Sequence, residues 1–415
     1  MRIYKYEMKA LREKRSRDSF PTSIIVYPCA LKVTTTFLFL GVCTWALTSL
    51  FTPITERTAS TSFMIRLQED ETKNGPRVMI PKEERLQDST FSIATQGYAI
   101  PNCDCVRFGL KIDDIKRAQR ETRAGNIKPP HWFRSNYTFQ GDSTCSDYAT
   151  QRGSGQKVFA YSFYSPKVYT EKESHFARYL GHLYSHISSI RTQYPGWVMR
   201  VYHNTSQEDA IVNPMFCRLS CAFQHVDFCH VKYLPNHLDL MEKGVVGRLW
   251  RFAVMGDPTV STFLVRDTDS MIIERQIMAV QEWLASGKGF HVMRDHPNHH
   301  AIMLAGLWGG HNRNLSLLRK VRDDIFAHPT NLTTKFDQYM LATKLWPHIK
   351  DDVLQHDSYN CLQSGHEGSV PFPVKRVDGL YCGWGPTKLR ERKVVLDTRC
   401  PVECRPKGHL DWNHC

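Results

Sequence analysis

The sequence predicts an α/β domain in which a mostly parallel sheet is covered by helices on both faces. Short apolar runs alternate with helical repeats from Lys157 onward. The runs are rich in β-branched and aromatic residues, and turn residues such as Pro195 and Gly196 separate them from the helical segments. Strands that alternate with helices of this length pair in parallel, because each helix returns the chain to the starting edge of the sheet.

The composition is that of a folded protein with an excess of positive charge. Hydrophobic residues make up 41% of the 415 residues and charged residues 23%, which excludes a wholly disordered chain. Lys and Arg number 54 against 41 Asp and Glu, so the formal net charge is +13. No dense basic stripe carries this charge, so we expect an anionic small ligand or an anionic surface as a partner and no nucleic acid.

Residues 33–55 form an uncharged run of 23 residues. About 20 apolar residues in a helix cross a bilayer core of ~30 Å, so the run is long enough for a transmembrane helix. It starts late and exceeds the apolar core of a cleaved signal peptide. These features favour a retained anchor over a signal sequence or a buried core helix.

The flanks of this run predict its orientation. Residues 1–32 carry eight basic and three acidic side chains, which predicts a cytosolic tail and a type II topology. Beyond the run lie 11 of the 13 cysteines and four N-x-S/T triplets, at Asn136, Asn204, Asn314 and Asn331. Eleven is odd, so one thiol is either free or bridges to a second chain. A homodimer, disulfide-linked or non-covalent, stays open.

The chain beyond the anchor divides into four segments. Residues 56–98 are polar and aperiodic, which predicts a flexible stem. Residues 99–155 contain three cysteines and several aromatic residues, and they precede the α/β domain of residues 156–385. Residues 386–415 form a cysteine-rich tail.

Each element of the α/β domain is predicted from its local pattern. Strands follow from apolar runs at residues 158–164, 197–202, 226–234, 260–265 and 290–293. Helices follow from apolar residues three and four positions apart, at residues 176–190, 209–223 and 247–254.

Two aspartates, Asp267 and Asp269, follow the predicted strand 260–265 directly. Open α/β sheets bind ligands at the carboxyl ends of their strands. Mg²⁺ and Mn²⁺ prefer hard carboxylate oxygens, and they commonly join one or two carboxylates to the phosphate oxygens of a substrate. The pair therefore predicts a site for a metal ion and a diphosphate, with a hydrogen-bonded turn as the alternative.

Several short motifs occur in a fixed order between Lys157 and Gly385. They are Tyr194-Pro195-Gly196-Trp197, Arg251-Phe252, Arg266-Asp267-Thr268-Asp269-Ser270, Glu282-Trp283, Met293-Arg294-Asp295-His296-Pro297, Gly306-Leu307-Trp308-Gly309, Asp337-Gln338, His356-Asp357-Ser358-Tyr359 and Pro371-Phe372-Pro373. In this order they resemble glycosyltransferases of the GT-A fold that carry an Asp-x-Asp motif, and one little-characterised branch of nucleotide-diphospho-sugar transferases.

The resemblance implies a GT-A-like, Rossmann-related mixed sheet and an enzyme of the Golgi or ER membrane with its catalytic domain in the lumen. Its donor would be a nucleotide-diphospho-sugar, its cofactor Mn²⁺ or Mg²⁺, and its acceptor a glycan, glycoprotein or glycolipid. Asp269 would coordinate the metal, and Asp267 would contact the metal, its water shell or the ribose. Arg251, Arg266 and Tyr161 would contact the donor, with an ordinary surface arginine as the alternative for Arg251.

His356 is a candidate third metal ligand, because imidazole accepts Mn²⁺. The chain lacks the His-x-x-Gly-x-x-Lys ending of the glycogenin-like branch, in which such a histidine serves.

The densest polar cluster of the sequence spans residues 294–300. Asp295 is a candidate general base, with Arg294 facing the diphosphate and His296 beside them. A zinc site built from Asp295, His296, His299 and His300 is the competing interpretation. Residues 306–310 are interpreted either as a loop whose Trp308 stacks on an acceptor sugar or as a buried tryptophan between tight glycine turns.

The leading functional hypothesis is a metal-dependent glycosyltransferase. The alternative is a catalytically inactive or lectin-like type II membrane protein that binds glycans, since a fold does not determine a function. A weaker third hypothesis is a metal-dependent hydrolase that acts through Asp295 and the neighbouring histidines.

Overall fold

We analysed a computed structural model of the chain, which describes residues 95–100, 103–128, 138–164, 179–236, 238–329, 333, 335–385 and 396–415. The predicted cytosolic tail, the predicted anchor and most of the predicted stem lie outside these residues. Within the described ranges, no helix combines the length and hydropathy needed to span a membrane. Thr95–Ala99 form a strand, so the last residues of the predicted stem belong to the folded region.

The first elements form a small layer against the main domain. Strands β1 (Thr95–Ala99) and β2 (Val106–Leu110) pair as an antiparallel hairpin, and helices α1 (Ile112–Arg123) and α2 (Asp147–Gln151) follow. Three disulfides join this layer to the α/β domain, and they are Cys103–Cys217, Cys105–Cys221 and Cys145–Cys229.

The main domain is built on a seven-stranded sheet in the order β5-β4-β3-β6-β8-β7-β9. Its strands are β3 (Gln156–Phe163), β4 (Trp197–His203), β5 (Val226–His230), β6 (Val260–Arg266), β7 (Phe290–Arg294), β8 (Leu307–His311) and β9 (Val353–Asp357). Strand β8 runs antiparallel to β6 and β7, and the other neighbours pair in parallel. The prediction of a mixed, mostly parallel sheet is confirmed.

Helices cover both faces of this sheet. The principal ones are α3 (Leu183–Gln193), α4 (Val212–Ala222), α5 (Glu274–Ser286), α6 (Leu315–Ala327), α7 (Phe336–Met340) and α8 (Trp346–Ile349), with a 3₁₀ helix at Gly247–Val254 and a π-helical turn at Leu341–Leu345. Alternate side chains of β3 enter different cores. Val158 and Ala160 pack with the 3₁₀ helix and α6, whereas Phe159 and Tyr161 pack with α3 and α4. Burial on both faces explains why this strand is an unbroken apolar run.

The glycine-rich segment at residues 306–310 is a strand and not a loop. Trp308 is fully buried in β8, where its ring meets Phe263 edge-on at 5.3 Å. A Cβ at Gly309 would overlap Leu264, and one at Gly310 would overlap Phe290. These glycines let β8 fit between β6 and β7, so the interpretation of Trp308 as a buried side chain is confirmed and the sugar-stacking interpretation is wrong.

A buried carboxylate, Asp257, ties the first layer to the sheet. It accepts hydrogen bonds from Arg200 Nη1 at 2.8 Å, from the backbone N–H of Thr144 at 2.8 Å and from that of Thr259 at 2.7 Å. Burial alone would raise the pKa of Asp257, but Arg200 and these hydrogen bonds outweigh it and hold the pKa below its ordinary value. The group is therefore a stable anion inside the protein.

The C-terminal segment is cross-linked by Cys361–Cys404 and Cys400–Cys415. Among the described cysteines, Cys382 alone is free, and it is fully buried. The odd cysteine predicted from the count is thus an interior thiol. A disulfide from Cys382 to a second chain would require this region to open.

We predict that Asp257→Asn lowers the free energy of unfolding by about 3–5 kcal/mol at pH 7, because Arg200 would stay buried without its counter-charge. The folded-state pKa of Asp257 lies below its ordinary value of 3.8, so its contribution to stability is present above that pH and is lost as pH falls further. Denaturant titrations of both proteins should therefore converge below pH 3.8. A difference that does not depend on pH would contradict this account.

Candidate functional site

The candidate site is a cavity of about 400 Å³ at the carboxyl ends of β3 and β6. The aspartate pair that follows β6 opens into it, as predicted for ligand sites of open α/β sheets. The lining residues are Ser162, Phe163, Tyr164, Tyr179, Arg248, Arg251, Asp267, Thr268, Asp269 and Asp337.

The loop that carries the aspartate pair is held from two sides. The Thr268 carbonyl accepts a hydrogen bond from His186 Nε2 at 2.9 Å. On the other side, the Met271 N–H donates to the Trp384 carbonyl at 2.8 Å, and Ser270 Oγ donates to the Gly383 carbonyl at 3.2 Å. The backbone is fixed in this way while the Asp267 side chain keeps 45% of its surface exposed.

His186 has no counterpart among the residues predicted from the sequence. Burial lowers its pKa to about 4, so the ring is neutral at physiological pH. A carbonyl only accepts hydrogen bonds, so the proton of His186 lies on Nε2. His186 therefore belongs to the support of the aspartate loop.

Arg251 links the aspartate pair to a third carboxylate. Its Nη1 donates to the carboxylate of Asp267 and to the Arg266 carbonyl, and its Nη2 donates to Asp337 Oδ2 at 3.1 Å. Burial alone would lower the pKa of Arg251, but Asp267 and Asp337 outweigh it and raise the pKa. The structure thus places Arg251 in the site as a buried cation and not on the open surface.

Two further charged residues of the cavity were not identified as site residues from the sequence. Asp337 lies in α7, and burial raises its pKa. Arg248 precedes Arg251 by three residues in the 3₁₀ helix, and such spacing puts both side chains on one face. The only sequence signal for Asp337 is its place in the Asp337-Gln338 motif of the resemblance.

The donor set and the space around it fit a divalent cation. The carboxylates of Asp267 and Asp269 are hard oxygen ligands at a half-exposed position. A Cβ at Gly306 would overlap the Asp267 carboxylate, and one at Gly385 would overlap the Asp269 carbonyl. Glycine at both positions therefore lets the backbone approach the Asp267 carboxylate and the Asp269 carbonyl closely, where a side chain would displace them.

His356, the predicted third metal ligand, lies elsewhere. It is in β9, which β8 and β7 separate from β6, so three strand spacings of roughly 4.8 Å stand between them. Its Nδ1 pairs with His291 Nε2 at 2.9 Å and its Nε2 with Glu282 Oε2 at 3.2 Å. The structure does not bring His356 to the aspartate pair.

The structure also places Asp295, the predicted general base, outside the cavity. Its carboxylate is fully buried and is bound by Arg275 Nε at 2.9 Å, Arg376 Nη2 at 2.7 Å and Ser358 Oγ at 2.6 Å. Burial alone would raise the pKa of Asp295, but the two arginines hold it below its ordinary value. A carboxylate shielded from substrate in this way stabilises the fold and does not meet an acceptor hydroxyl.

Arg294 and His296, the neighbours of Asp295 in the sequence, do not line the cavity either. Arg294 is fully buried, and its Nε donates to Asp357 Oδ2 at 2.6 Å, so it does not face the cavity. The ring of His296 packs on Tyr381 at 4.7 Å. In the described part of the chain, a group of three or more side chains close enough to share a metal ion occurs only at Cys103, Cys217 and Cys221, and these are disulfide-bonded. The described residues 294–300 therefore do not form the zinc site considered above.

Arg266 and Tyr161 lie beneath the site and do not line it. Arg266 Nη1 donates to the Trp308 carbonyl at 2.8 Å. Its Nε and Nη2, like Tyr161 Oη, are buried and have no hydrogen-bond partner among the described residues. Burial lowers the pKa of Arg266 and raises that of Tyr161. Neither side chain lines the cavity, so neither is in a position to contact the donor as the resemblance implied.

A second cavity of about 440 Å³ adjoins the first, at the ends of β4 and β5. Phe163 lines the first cavity and its register partner His203 lines the second, so the two cavities share a wall. Phe216 of α4 packs edge-on against both rings, at 5.8 and 5.0 Å. The charged residues that line the second cavity include Arg107 and Asp227, which form an ion pair with each other. The second cavity thus has aromatic walls, whereas carboxylates and guanidinium groups dominate the lining of the first.

Comparison with known proteins identifies no family for this chain. No protein-family model and no curated protein sequence matches the chain. One similar solved structure is the crystal structure of a glycosyltransferase involved in the glycosylation of the major capsid of PBCV-1. It is 17% identical, and the match covers 49% of this chain and 81% of that chain with a TM-score of 0.27. At that TM-score the likeness carries no argument about function.

We predict that Gly306→Ala weakens Mn²⁺ binding about tenfold with little loss of stability, because the new methyl group displaces the Asp267 carboxylate. Gly408→Ala is the matched control, since a Cβ there meets nothing within 4 Å. Calorimetric titration of the full chain with Mn²⁺ measures both variants. Equal affinities would show that Asp267 does not need the space beside Gly306.

We predict that Asp295→Asn lowers the free energy of unfolding by about 3–5 kcal/mol, because two buried arginines lose their counter-charge. The exposed Asp411→Asn serves as the control and should change stability by less than about 0.5 kcal/mol. Thermal and denaturant unfolding measure the difference. A stable Asp295→Asn protein that had lost only activity would restore the general-base interpretation.

Proposed function

We propose that the chain is a metal-dependent glycosyltransferase that moves a sugar from a nucleotide-diphospho-sugar to a glycan, glycoprotein or glycolipid. The observation that carries this proposal is the convergence of Asp267, Asp269 and Arg251 in one cavity at the carboxyl edge of a mostly parallel sheet. Carboxylates and guanidinium groups in one space suit a ligand that brings both a cation and an anion.

The charges of the cavity support a bound Mn²⁺ or Mg²⁺ with a diphosphate. Three carboxylates, from Asp267, Asp269 and Asp337, face two guanidinium groups, from Arg248 and Arg251. A divalent cation at the aspartate pair would stabilise the charge that develops on a departing nucleoside diphosphate. The same pair would hold that cation, because hard ions commonly bind one or two carboxylates together with phosphate oxygens.

The two arginines would bind the diphosphate from the other side. A guanidinium donates parallel hydrogen bonds to phosphate oxygens, and it stays charged when buried. Arg248 Nη1 donates to the Thr333 carbonyl, which holds that side chain at the cavity. The site would then orient the leaving group between a cation on one side and two guanidinium groups on the other.

The adjoining cavity would take the nucleoside of the donor. Phe163 of the charged cavity and His203 of this one are register partners on neighbouring strands, so the proposal puts one part of an extended donor on each side of this pair. Burial lowers the pKa of His203 to about 3, so this ring is neutral at physiological pH. An aromatic, uncharged wall suits a nucleobase and not a second phosphate.

The proposed compartment is the lumen of the Golgi or ER, with the chain held by a single type II anchor at residues 33–55. Five disulfides among the described residues support an oxidising environment. The basic tail before the anchor supports the orientation.

A second candidate function is a catalytically inactive or lectin-like protein that binds glycans. The aromatic wall of the second cavity favours it, because flat rings also stack on sugars. The two candidates differ in the role of the metal, since a lectin of this kind would bind glycan without nucleotide or Mn²⁺.

The proposal predicts that the full chain releases nucleotide from at least one of UDP-Glc, UDP-Gal, UDP-GlcNAc, UDP-GalNAc and GDP-Man when Mn²⁺ is present. Asp269→Asn should reduce Mn²⁺-dependent UDP or GDP binding at least tenfold, because one carboxylate ligand is lost. Calorimetry measures the binding, and an unchanged melting temperature shows that the variant is folded. Nucleotide binding that needs neither Mn²⁺ nor Asp269 would overturn the proposal.

A further inference from the structure

The guanidinium group of Arg251 forms ion pairs with two carboxylates of the candidate site at the same time. Arg251 Nη1 pairs with Asp267, and Nη2 pairs with Asp337 Oδ2 at 3.1 Å. The Arg251 side chain is 5% exposed, whereas that of Asp267 is 45% exposed. The Arg251 guanidinium therefore approaches Asp267 from inside the protein, and a ligand would approach Asp267 from the cavity.

This arrangement creates a competition at Asp267. A divalent cation needs the oxygens of Asp267, and Arg251 already donates a hydrogen bond to one of them. A like charge brought to the same carboxylate repels the guanidinium, and the repulsion is strong where water is scarce. A metal ion that takes both oxygens of Asp267, or the one bound to Arg251, therefore requires Arg251 to shift its hydrogen bond elsewhere.

Asp337 is placed to receive that hydrogen bond. It lies in α7, on a different element from the aspartate loop, and its side chain is 10% exposed. The guanidinium already touches it, so a small rotation transfers Arg251 from a bridge between two carboxylates to a pair with one. The backbone N–H of Arg251 stays fixed meanwhile, because it donates to Ser162 Oγ at 2.9 Å.

We infer that Asp337 is a positioning residue that draws Arg251 away from Asp267 when a divalent cation binds, and so turns Nη1 toward the diphosphate. This inference rests on the proposed function and adds a role that the aspartate pair alone does not explain. In the absence of metal, Arg251 neutralises Asp267. With metal bound, the same guanidinium is held by Asp337 and donates to the donor substrate.

The inference requires an arginine at this position. A planar guanidinium offers separate N–H groups to two carboxylates, whereas a lysine ammonium is a single point charge. Arg251→Lys keeps the charge but not the fork, so it cannot hold Asp337 and face a diphosphate together. This variant separates the charge of Arg251 from its geometry.

The test is a double-mutant cycle on Mn²⁺ affinity, measured by calorimetry with the full chain and no nucleotide. Arg251→Gln should tighten Mn²⁺ binding about three- to tenfold, because the competing cation is gone. Asp337→Asn should weaken it by a similar factor, because Arg251 is left with Asp267 alone. In the Arg251→Gln background, Asp337→Asn should have little effect.

The cycle separates this role from plain electrostatics. Removal of the Asp337 charge acts on any nearby cation, so a purely Coulombic effect would be equal in both backgrounds. Equal effects would overturn the inference, as would weaker Mn²⁺ binding by Arg251→Gln. Arg313→Gln is the matched control, since it removes an exposed cation that lies outside the cavity and donates to the Gly287 carbonyl, and it should change Mn²⁺ affinity by less than about twofold.

Titration with UDP at saturating Mn²⁺ completes the test. Arg251→Gln and Arg251→Lys should both weaken UDP binding at least fivefold, opposite in sign to the effect of Arg251→Gln on Mn²⁺. A damaged fold would weaken both ligands. If the wild-type chain binds Mn²⁺ and the cycle shows no coupling, the inference fails and the proposed function stands. If neither the wild-type chain nor Arg251→Gln binds Mn²⁺, the inference and the metal dependence of the proposed function both fail.

Discussion

The ion pair between the buried guanidinium of Arg251 and the carboxylate of Asp267 is the interaction on which the candidate site depends. It joins the 3₁₀ helix to the loop after β6, and the hydrogen bond from the Arg251 backbone to Ser162 adds the end of β3. Three carboxylates in one partly buried cavity would repel one another without a fixed cation between them. Arg251 thus contacts elements from distant parts of the chain through both its backbone and its side chain.

The fold could be predicted wherever the sequence pattern is local. Strand β6 is an apolar run because both of its faces are buried, so its position and its following loop follow from the sequence. Strand β8 could not be predicted, because Gly309 and Gly310 serve to admit neighbouring side chains and carry no strand signal. The stretch at residues 247–254 shows apolar spacing typical of a helix, and only the structure reveals the tighter 3₁₀ winding.

Some residues of the candidate site could likewise be predicted from the sequence, and others could not. Asp267 and Asp269 lie directly after a recognisable strand, so a local pattern was sufficient to find them. Asp295 looked equally functional in the sequence, but its partners Arg275 and Arg376 lie 20 and 81 residues away, and only folding shows that they consume its charge. Asp337 was missed for the converse reason, because nothing near it in the sequence indicates that Arg251 will meet it 86 residues from its own position.

The C-terminal cross-links reach the aspartate loop through a short chain of contacts. Cys415, which pairs with Cys400, accepts a hydrogen bond from the Arg376 N–H, and the Arg376 side chain binds Asp295. Asp295 accepts a hydrogen bond from the Cys382 N–H, two residues before the Trp384 carbonyl that supports the loop. The Cys400–Cys415 disulfide is therefore linked, through Arg376, Asp295 and Cys382, to the segment that holds the aspartate loop. A chain in which this disulfide stayed reduced would hold that segment less firmly, so the cross-link also helps to order the loop that carries Asp267 and Asp269.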